Sequence, residues 1–252
     1  MRIDCAAGLC DRAQFHYVWH PHRDYSSEDL ALILGRNRFE GAVLCAQTTE
    51  PRETDWLLDA GTRHPWILGI VGRGSHPADL DRWQRNPLFL GSDANAPELA
   101  RRELVCHVAP EAAAEALAQA PDARLVVRAT AGLSFDPATF EAWARSLAPL
   151  VPTSAAIQID GLLNFIPPTG WKADTRRPWV QHLLQTFGPA RIFYGSGWPL
   201  SMPHGTWKES LACFTQAMGA QTMDDRSRIL GENAMNFYRL PRAVGYTEET
   251  PR

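Results

Sequence analysis

The sequence predicts a single α/β domain in which parallel strands alternate with helices. Its 252 residues, with a hydrophobic content of 45%, are enough to bury the core of one domain. Short apolar runs alternate with helical patterns from one end to the other, as is typical of parallel strands joined by crossover helices. Pro110, Pro137 and Pro178 lie near the starts of predicted helices, where the missing N–H of proline costs little.

The predicted strands are seven short apolar runs, and an eighth run is shorter than the others. Buried parallel strands have this length and continuous apolar character. The seven runs are residues 1–5, 41–46, 66–71, 88–91, 124–128, 155–159 and 191–194, and the short run is 103–105.

The predicted helices lie between these runs, at residues 26–37, 52–63, 110–120, 137–150, 177–187, 206–218 and 223–230. In the first of them, Leu30, Ile33 and Leu34 share one face, and Ser27 is the predicted N-cap. Alternation of this kind fits both a closed barrel and an open doubly wound sheet, so periodicity does not choose between them.

Charge and cysteine usage limit the classes of partner. The chain has 25 Lys and Arg against 28 Asp and Glu, a net charge of -3, which gives no general attraction to nucleic acid or to an anionic membrane. We expect a small-molecule ligand or a protein partner, and a homo-oligomer remains open. The sequence has no apolar targeting segment, and its 5 cysteines are scattered. These features predict a cytoplasmic protein with reduced thiols.

Several motifs resemble the amidohydrolase superfamily, in particular the branch of fuconolactonase-like and 2-pyrone-4,6-dicarboxylate lactonases. They are residues 1–4 with 15–21, 53–58 with 67–72, 177–180 with 187–191, 194–199, and 231–238. The resemblance implies a single-domain (β/α)8 TIM barrel over residues 1–240, with its pocket at the carboxyl ends of the strands. Residues 241–252 would form a polar tail.

The chain departs from this family at the positions that carry the family's chemistry. Ala6 and Gly8 stand where the resemblance implies a metal-binding His-x-His pair, and Ala129 stands where it implies a further His. Gly197 replaces the Asp that takes a proton from water. We therefore expect no metal and no cofactor, and we expect these four small residues to leave space at the mouth of the barrel.

Five polar residues at or just beyond strand ends are candidates for that space: Gln47, Arg73, Asp93, Arg128 and Asp160. A guanidinium at Arg128 would hold a carboxylate or an enolate. Its alternative role is a structural ion pair with an acid such as Asp160. Asp160 would act as a general base if burial raised its pKa, and alternatively it only holds the loop that follows.

The loop after the first strand carries His16, His20 and His22. We predict that His16 or His20 serves as a general acid or base over the pocket. The spacing of the three histidines also leaves open a relocated metal site, although loop histidines are more often hydrogen-bonded or exposed to solvent.

Aromatic residues in the predicted strand-end loops favour a flat ligand. Trp19, Trp171, Tyr194 and Trp198, together with Phe165, are expected to line an aromatic pocket. The alternative for each of them is ordinary packing within a loop.

The sequence thus supports two functions. The first is a metal-independent amidohydrolase-like enzyme that performs acid-base chemistry on a carboxylated or aromatic small molecule. Lactone opening or closing, dehydration, isomerisation and cyclisation all fit this description. The second is a catalytically inactive relative that binds a small ligand or a protein partner. The sequence does not identify the substrate, since a fold transfers the location of a pocket and not its chemistry.

Overall fold

Eight parallel strands form a barrel in a computed structural model that describes residues 1–74, 76–93, 95–164 and 170–241. The strands are β1 (Ile3–Ala7), β2 (Gly41–Cys45), β3 (Ile67–Gly72), β4 (Phe89–Ser92), β5 (Val105–Val108), β6 (Arg124–Arg128), β7 (Ala156–Ile159) and β8 (Ile192–Tyr194). Each strand pairs with the next one along the chain. The predicted (β/α)8 class is confirmed, and the short eighth run marks the start of β5.

The barrel closes between β1 and the turn that follows β8. The backbone N–H of Gly197 donates to the carbonyl of Ala6 at 2.9 Å, and that of Gly8 donates to the carbonyl of Trp198 at 2.7 Å. The β1–β2 register shifts between Asp4 and Ala7. Such an irregularity re-aims the residues at a strand end.

Ten α-helices occur in the described part of the chain. They are α1 (Ser27–Arg36), α2 (Pro51–Arg63), α3 (Pro77–Trp83), α4 (Ala96–Arg101), α5 (Pro110–Gln119), α6 (Phe140–Leu147), α7 (Ala173–Phe187), α8 (Trp207–Met218), α9 (Met223–Ser227) and α10 (Asn233–Tyr238). The sequence did not predict α3, α4 or α10, which are too short to show a clear helical period. None of the helices in the described residues is long and apolar enough to span a membrane.

The starts of α1, α6 and α7 differ from the prediction, and α6 begins at Phe140 after a 3-10 turn over Pro137–Thr139. Ser26, and not Ser27, is the N-cap of α1, because Ser26 and Asp29 exchange side-chain and backbone hydrogen bonds in a capping box. Helix α7 begins at Ala173, so Pro178 lies inside it and not near its start. Proline removes one helical hydrogen bond there, and packing of the helix on the barrel compensates for that loss.

The barrel has two separate apolar cores. One lies between the strands and the surrounding helices, and the other fills the lumen. The lumen core includes Ile3, Val43, Leu68, Val126 and Phe193. Helix α10 closes the lumen at the amino ends of the strands, where the rings of Phe237 and Tyr238 contact Phe193 at 5.5 and 5.7 Å between centroids. The opposite end, at the carboxyl ends of the strands, is called the mouth below.

Candidate active site

The five polar residues predicted at strand ends do lie at the mouth. Arg128 is the last residue of β6, and Arg73, Asp93 and Asp160 each directly follow a strand. Gln47 lies two residues beyond β2. They are called the strand-end polar cluster. Parallel strands place their carboxyl ends on one edge, which explains why residues distant in sequence meet there.

Arg128 and Asp160 form an ion pair. Nε and Nη2 of Arg128 donate to the same oxygen, Oδ2 of Asp160, at 3.2 and 2.6 Å. The Asp160 side chain is 1% exposed and that of Arg128 is 35% exposed. Oδ1 of Asp160 is enclosed and accepts no hydrogen bond from a described residue. The carboxylate therefore holds the arginine from below, and the guanidinium still reaches the mouth.

A second ion pair, between Arg73 and Asp93, lies in the same cluster. Nε of Arg73 donates to Asp93 at 2.8 Å, and both side chains are more than a third exposed. The charge of Asp160 raises the pKa of Arg128, and Cys45 and Asp93 act in the same direction. The two ion pairs thus belong to one electrostatic network around the mouth.

Two polar side chains, those of His107 and Tyr238, lie in the lumen near this cluster. The hydroxyl of Tyr238 and Nε2 of His107 are 2.8 Å apart. Burial lowers the pKa of His107 to about 3, and the charge of Arg128 adds to the shift. His107 is therefore neutral at physiological pH. Gln158, paired in register with Arg128, is fully buried, and its amide has no hydrogen-bond partner among the described residues.

The expectation that the four small residues leave open space is wrong at three of them. The Gln47 side chain occupies the space beside Gly8, where an added Cβ would lie 2.6 Å from its Nε2. An added Cβ at Gly197 would lie 2.8 Å from Cα of Gly161. Cβ of Ala6 packs against Gly195, where an added Cβ would lie 2.5 Å away. Neighbouring atoms thus occupy the space that larger side chains at these positions would need.

A divalent metal does not fit the residues described. Ala6, Gly8 and Ala129 offer no ligand atoms, and Gly197 offers no carboxylate. Within the described ranges, no three His, Cys, Asp or Glu side chains are grouped so that they could hold a metal ion. His16, His20 and His22 are all among the residues searched, so the relocated metal site is not formed by them.

The histidine loop is exposed where its histidines lie and buried where its aromatic residues lie. His16 and His20 are exposed, with their ring centroids 6.3 Å apart. Phe15, Tyr17 and Tyr25 are buried. The aromatic rings fix the loop to the barrel, and the two histidines face solvent.

The four aromatic candidates separate into two groups. Trp19 and Trp171 are half-buried in mouth-side loops, and their part in an aromatic pocket stays a prediction. Tyr194 is fully buried and packs on Phe214 of α8 with ring centroids 5.0 Å apart, so its ring lies between strand and helix and not at the mouth. Trp198 is also fully buried. Its ring packs edge-on against Tyr25 at 5.5 Å. Phe165 lies outside the described residues.

Sequence reasoning missed the buried acids that support the mouth. Asp4 is fully buried and accepts the backbone N–H of Ser196 at 2.9 Å and the indole N–H of Trp207 at 2.7 Å. Burial raises the pKa of Asp4 above its usual value, although these hydrogen bonds oppose the shift. A carboxylate in an otherwise apolar strand was the available signal.

Glu53 has a similar position behind β2. Its Oε2 accepts hydrogen bonds from the backbone N–H of Gln47 at 2.9 Å and from the hydroxyl of Thr48 at 2.8 Å. Burial raises the pKa of Glu53. Glu53 thereby fixes the segment from which the Gln47 side chain extends over Gly8.

Fold and site together define a single-domain (β/α)8 barrel with a charged mouth at the carboxyl ends of its strands. A family model described as Amidohydrolase matches residues 93–240, and the chain belongs to this family. L-fucono-1,5-lactonase of Burkholderia ambifaria is 24% identical over 290 aligned positions that cover 97% of both chains. An uncharacterised protein of Sinorhizobium fredii is 26% identical over 77% of both chains.

Solved structures share the fold over nearly the whole chain. An amidohydrolase from Burkholderia multivorans with bound zinc has a TM-score of 0.81 at 20% identity, covering 96% of this chain and 100% of its own. A probable 2-pyrone-4,6-dicarboxylic acid hydrolase from Acinetobacter baumannii with bound citric acid has a TM-score of 0.70 at 15% identity, covering 94% and 99%. Membership of the family supports a hydrolase-type function for the barrel.

Proposed function

We propose that the chain is a metal-independent hydrolase that opens the ring of a small carboxylated lactone at the mouth of the barrel. The observation that carries the proposal is the guanidinium of Arg128, held by a buried carboxylate and still one-third exposed at the mouth. Its ligand class follows from chemistry, because a guanidinium fixed in this way binds a carboxylate through paired hydrogen bonds.

The surroundings of Arg128 support an anionic ligand. Arg73 adds a second partly exposed guanidinium to the cluster. His107 is neutral, so the lumen contributes no competing positive charge next to Arg128. Gln47, Trp19 and Trp171 supply polar and aromatic contacts at the rim. A flat ring that carries a carboxylate matches this combination of groups.

Ring opening requires one proton to move from water to the leaving oxygen. The water oxygen bonds to the carbonyl carbon, the ring C–O bond breaks, and the proton passes to the oxygen released. Asp160 is the proposed carrier of this proton. Its Oδ1 is enclosed and accepts no hydrogen bond from a described residue, so this oxygen is the one free to take the proton once the ligand and its water reach it. His16 or His20 is the alternative carrier, from the exposed loop.

One observation favours the alternative function, a binding protein without catalysis. The backbone of Gly161 fills the space beside Gly197, so the strand end that carries the family's carboxylate is closed. A barrel with Arg128 permanently held by Asp160 would bind an anion and leave it unchanged.

The test uses 2-pyrone-4,6-dicarboxylate and L-fucono-1,5-lactone as probes on chelator-dialysed protein whose metal content is measured. We expect turnover of the anionic probe without metal, and loss of this turnover in Arg128→Gln and Asp160→Asn. Arg36→Gln, an exposed arginine at the end of α1, is the matched control and keeps full activity.

Each other result decides between the functions. Activity that disappears on dialysis and returns with zinc overturns metal independence. Binding of the dicarboxylate by calorimetry, with no turnover of either lactone, establishes the binding function instead. Full activity in Asp160→Asn transfers the proton-carrying role to the loop histidines, and His20→Ala then tests that role.

A further inference from the structure

Thr130 holds both backbone groups of Asp160 through one hydroxyl. Oγ1 of Thr130 accepts the backbone N–H of Asp160 at 2.9 Å and donates to the carbonyl of Asp160 at 2.7 Å. Thr130 is fully buried. It lies two residues beyond the end of β6, whereas Asp160 directly follows β7. The Thr130 hydroxyl thus continues the hydrogen bonding between β6 and β7 beyond the last backbone–backbone bond.

The segment that carries Thr130 is itself fixed. The backbone N–H of Ala129 donates to the carbonyl of Gln158 at 2.9 Å, which extends the β6–β7 ladder by one step. The indole N–H of Trp143 on α6 donates to the carbonyl of Ala129 at 2.7 Å. The hydroxyl of Thr130 is therefore presented from a rigid turn, and little conformational freedom is left to the residue it holds.

The same two strands carry the ion pair. Arg128 precedes Thr130 by two residues, and its guanidinium donates to the side chain of Asp160 at 2.6 Å. Strand β6 thus contacts Asp160 twice, at the backbone through Thr130 and at the carboxylate through Arg128. If the backbone of Asp160 turns, the carboxylate and the guanidinium move with it.

We propose that Thr130 is a positioning residue for the Arg128–Asp160 pair. It fixes the direction of the Asp160 carboxylate and, through it, the place of the Arg128 guanidinium at the mouth. The consequence for ligand binding depends on the proposed function, but the effect on the ion pair does not.

The chain offers a matched control for this hydroxyl. Oγ1 of Thr153 accepts the backbone N–H of Ala155 at 3.2 Å and donates to the carbonyl of Leu150 at 2.8 Å. Thr153 precedes β7, at the opposite end of the strand from Asp160. Thr130→Val and Thr153→Val therefore remove a hydroxyl of the same kind at the two ends of one strand.

The first measurement is the hydrogen exchange of the Arg128 Nε–H by nitrogen-15 NMR, with the signal assigned by its absence in Arg128→Lys. We expect slow exchange in the native protein, an increase of about tenfold in Thr130→Val, and recovery in Thr130→Ser, which keeps the hydroxyl. Thr153→Val leaves the exchange unchanged. Thr130→Ala serves in place of the valine variant if that variant does not fold.

The second measurement is the KM and kcat for 2-pyrone-4,6-dicarboxylate in the same variants. We expect a rise in KM in Thr130→Val that Thr130→Ser reverses. Unchanged exchange and KM in a folded Thr130→Val, with only a lower free energy of unfolding, overturn the proposal. Faster exchange in Thr130→Val, with no turnover by the native protein or by any variant, confirms the positioning role and rejects the proposed function, so the two failures are distinguishable.

Discussion

The two sides of the barrel mouth are both built from strand ends, but one is closely packed and the other carries exposed charges. On the β1–β8 side, called the sealed side below, glycine and alanine allow backbone and side-chain atoms to approach closely. Asp4 accepts a hydrogen bond from the turn after β8 there. On the β3–β7 side, called the charged side below, two ion pairs leave charged groups partly exposed. A strand end that loses its functional side chain can thus be sealed, while its neighbours keep their charges. The function proposed above therefore places its site on the charged side of the mouth.

The largest effect should come from restoring the missing carboxylate on the sealed side. Gly197 has φ 70°, and its Cβ would overlap Gly161. We expect Gly197→Asp to lower the free energy of unfolding by about 1–2 kcal/mol for the left-handed backbone and by about 1–3 kcal/mol more for overpacking. Urea denaturation measures this loss. We expect the hydrolytic activity of the variant not to exceed that of the native protein.

Gly132 provides the control for that substitution. It has φ 78° and no atom within 4 Å of its added Cβ. Gly132→Asp should therefore lose only the backbone contribution, about 1–2 kcal/mol. Equal losses at the two glycines would show that the sealed side is not tightly packed.

The lumen beneath the charged side should destabilise the protein in acid. The pKa of His107 is lowered from 6.5 to about 3, so below pH 6.5 the unfolded chain binds a proton that the folded chain refuses. Stability is then lost as the pH falls, by at most about 1.4 kcal/mol per pH unit. His107→Gln keeps a partner for Tyr238 and should flatten this dependence in urea titrations. A parallel pH profile in both proteins would contradict the assignment.

Asp4 on the sealed side should act in the opposite direction. Its folded pKa is raised above 3.8, so between 3.8 and the folded pKa the folded state holds a proton that the unfolded chain has released. Its contribution to stability is therefore complete below pH 3.8 and decreases as the pH rises. We expect the stability of the native protein relative to Asp4→Asn to decrease as the pH rises above 3.8. A relative stability that grows as the pH rises would contradict the raised pKa.

The smallest effect on stability is expected at Gly8, where the two sides meet. The atom that an added Cβ would overlap is the end of the flexible Gln47 side chain. Gly8→Ala should displace this side chain at a cost of less than about 1 kcal/mol, because a flexible group can move away. Its affinity for the dicarboxylate should fall as in Gln47→Ala, and the double variant should lose no more than either single one. Fully additive losses would separate Gln47 from Gly8.

The sequence was sufficient to predict the fold and the location of the charged side. Arg128 ends one predicted run and Asp160 follows another, and parallel strands bring such ends together. Side chains alternate along a strand, so one of Phe193 and Tyr194 had to face the helices; that it is Tyr194 follows only from the lumen position of Phe193 in the structure.

The sealed side and the support of Asp160 depend on contacts that sequence patterns do not carry. The Gln47 side chain lies beside Gly8 across a β1–β2 register that shifts between Asp4 and Ala7, and the sequence does not show that shift. Thr130 and Asp160 are 30 residues apart, and a hydroxyl can take many partners. The close approach of Gly197 and Gly161 likewise appears only when both turns are placed in space.

Helix α10 also closes the lumen through contacts with residues that lie much earlier in the chain. Tyr238 reaches His107 across 131 residues of sequence, and the carbonyl of Phe237 accepts a hydrogen bond from Arg124 across 113. All eight strands precede this helix in the chain, so the contacts that close the lumen are available only after every strand has been synthesised. The segment that closes the amino end of the lumen is thus also the segment that joins strands synthesised more than a hundred residues earlier.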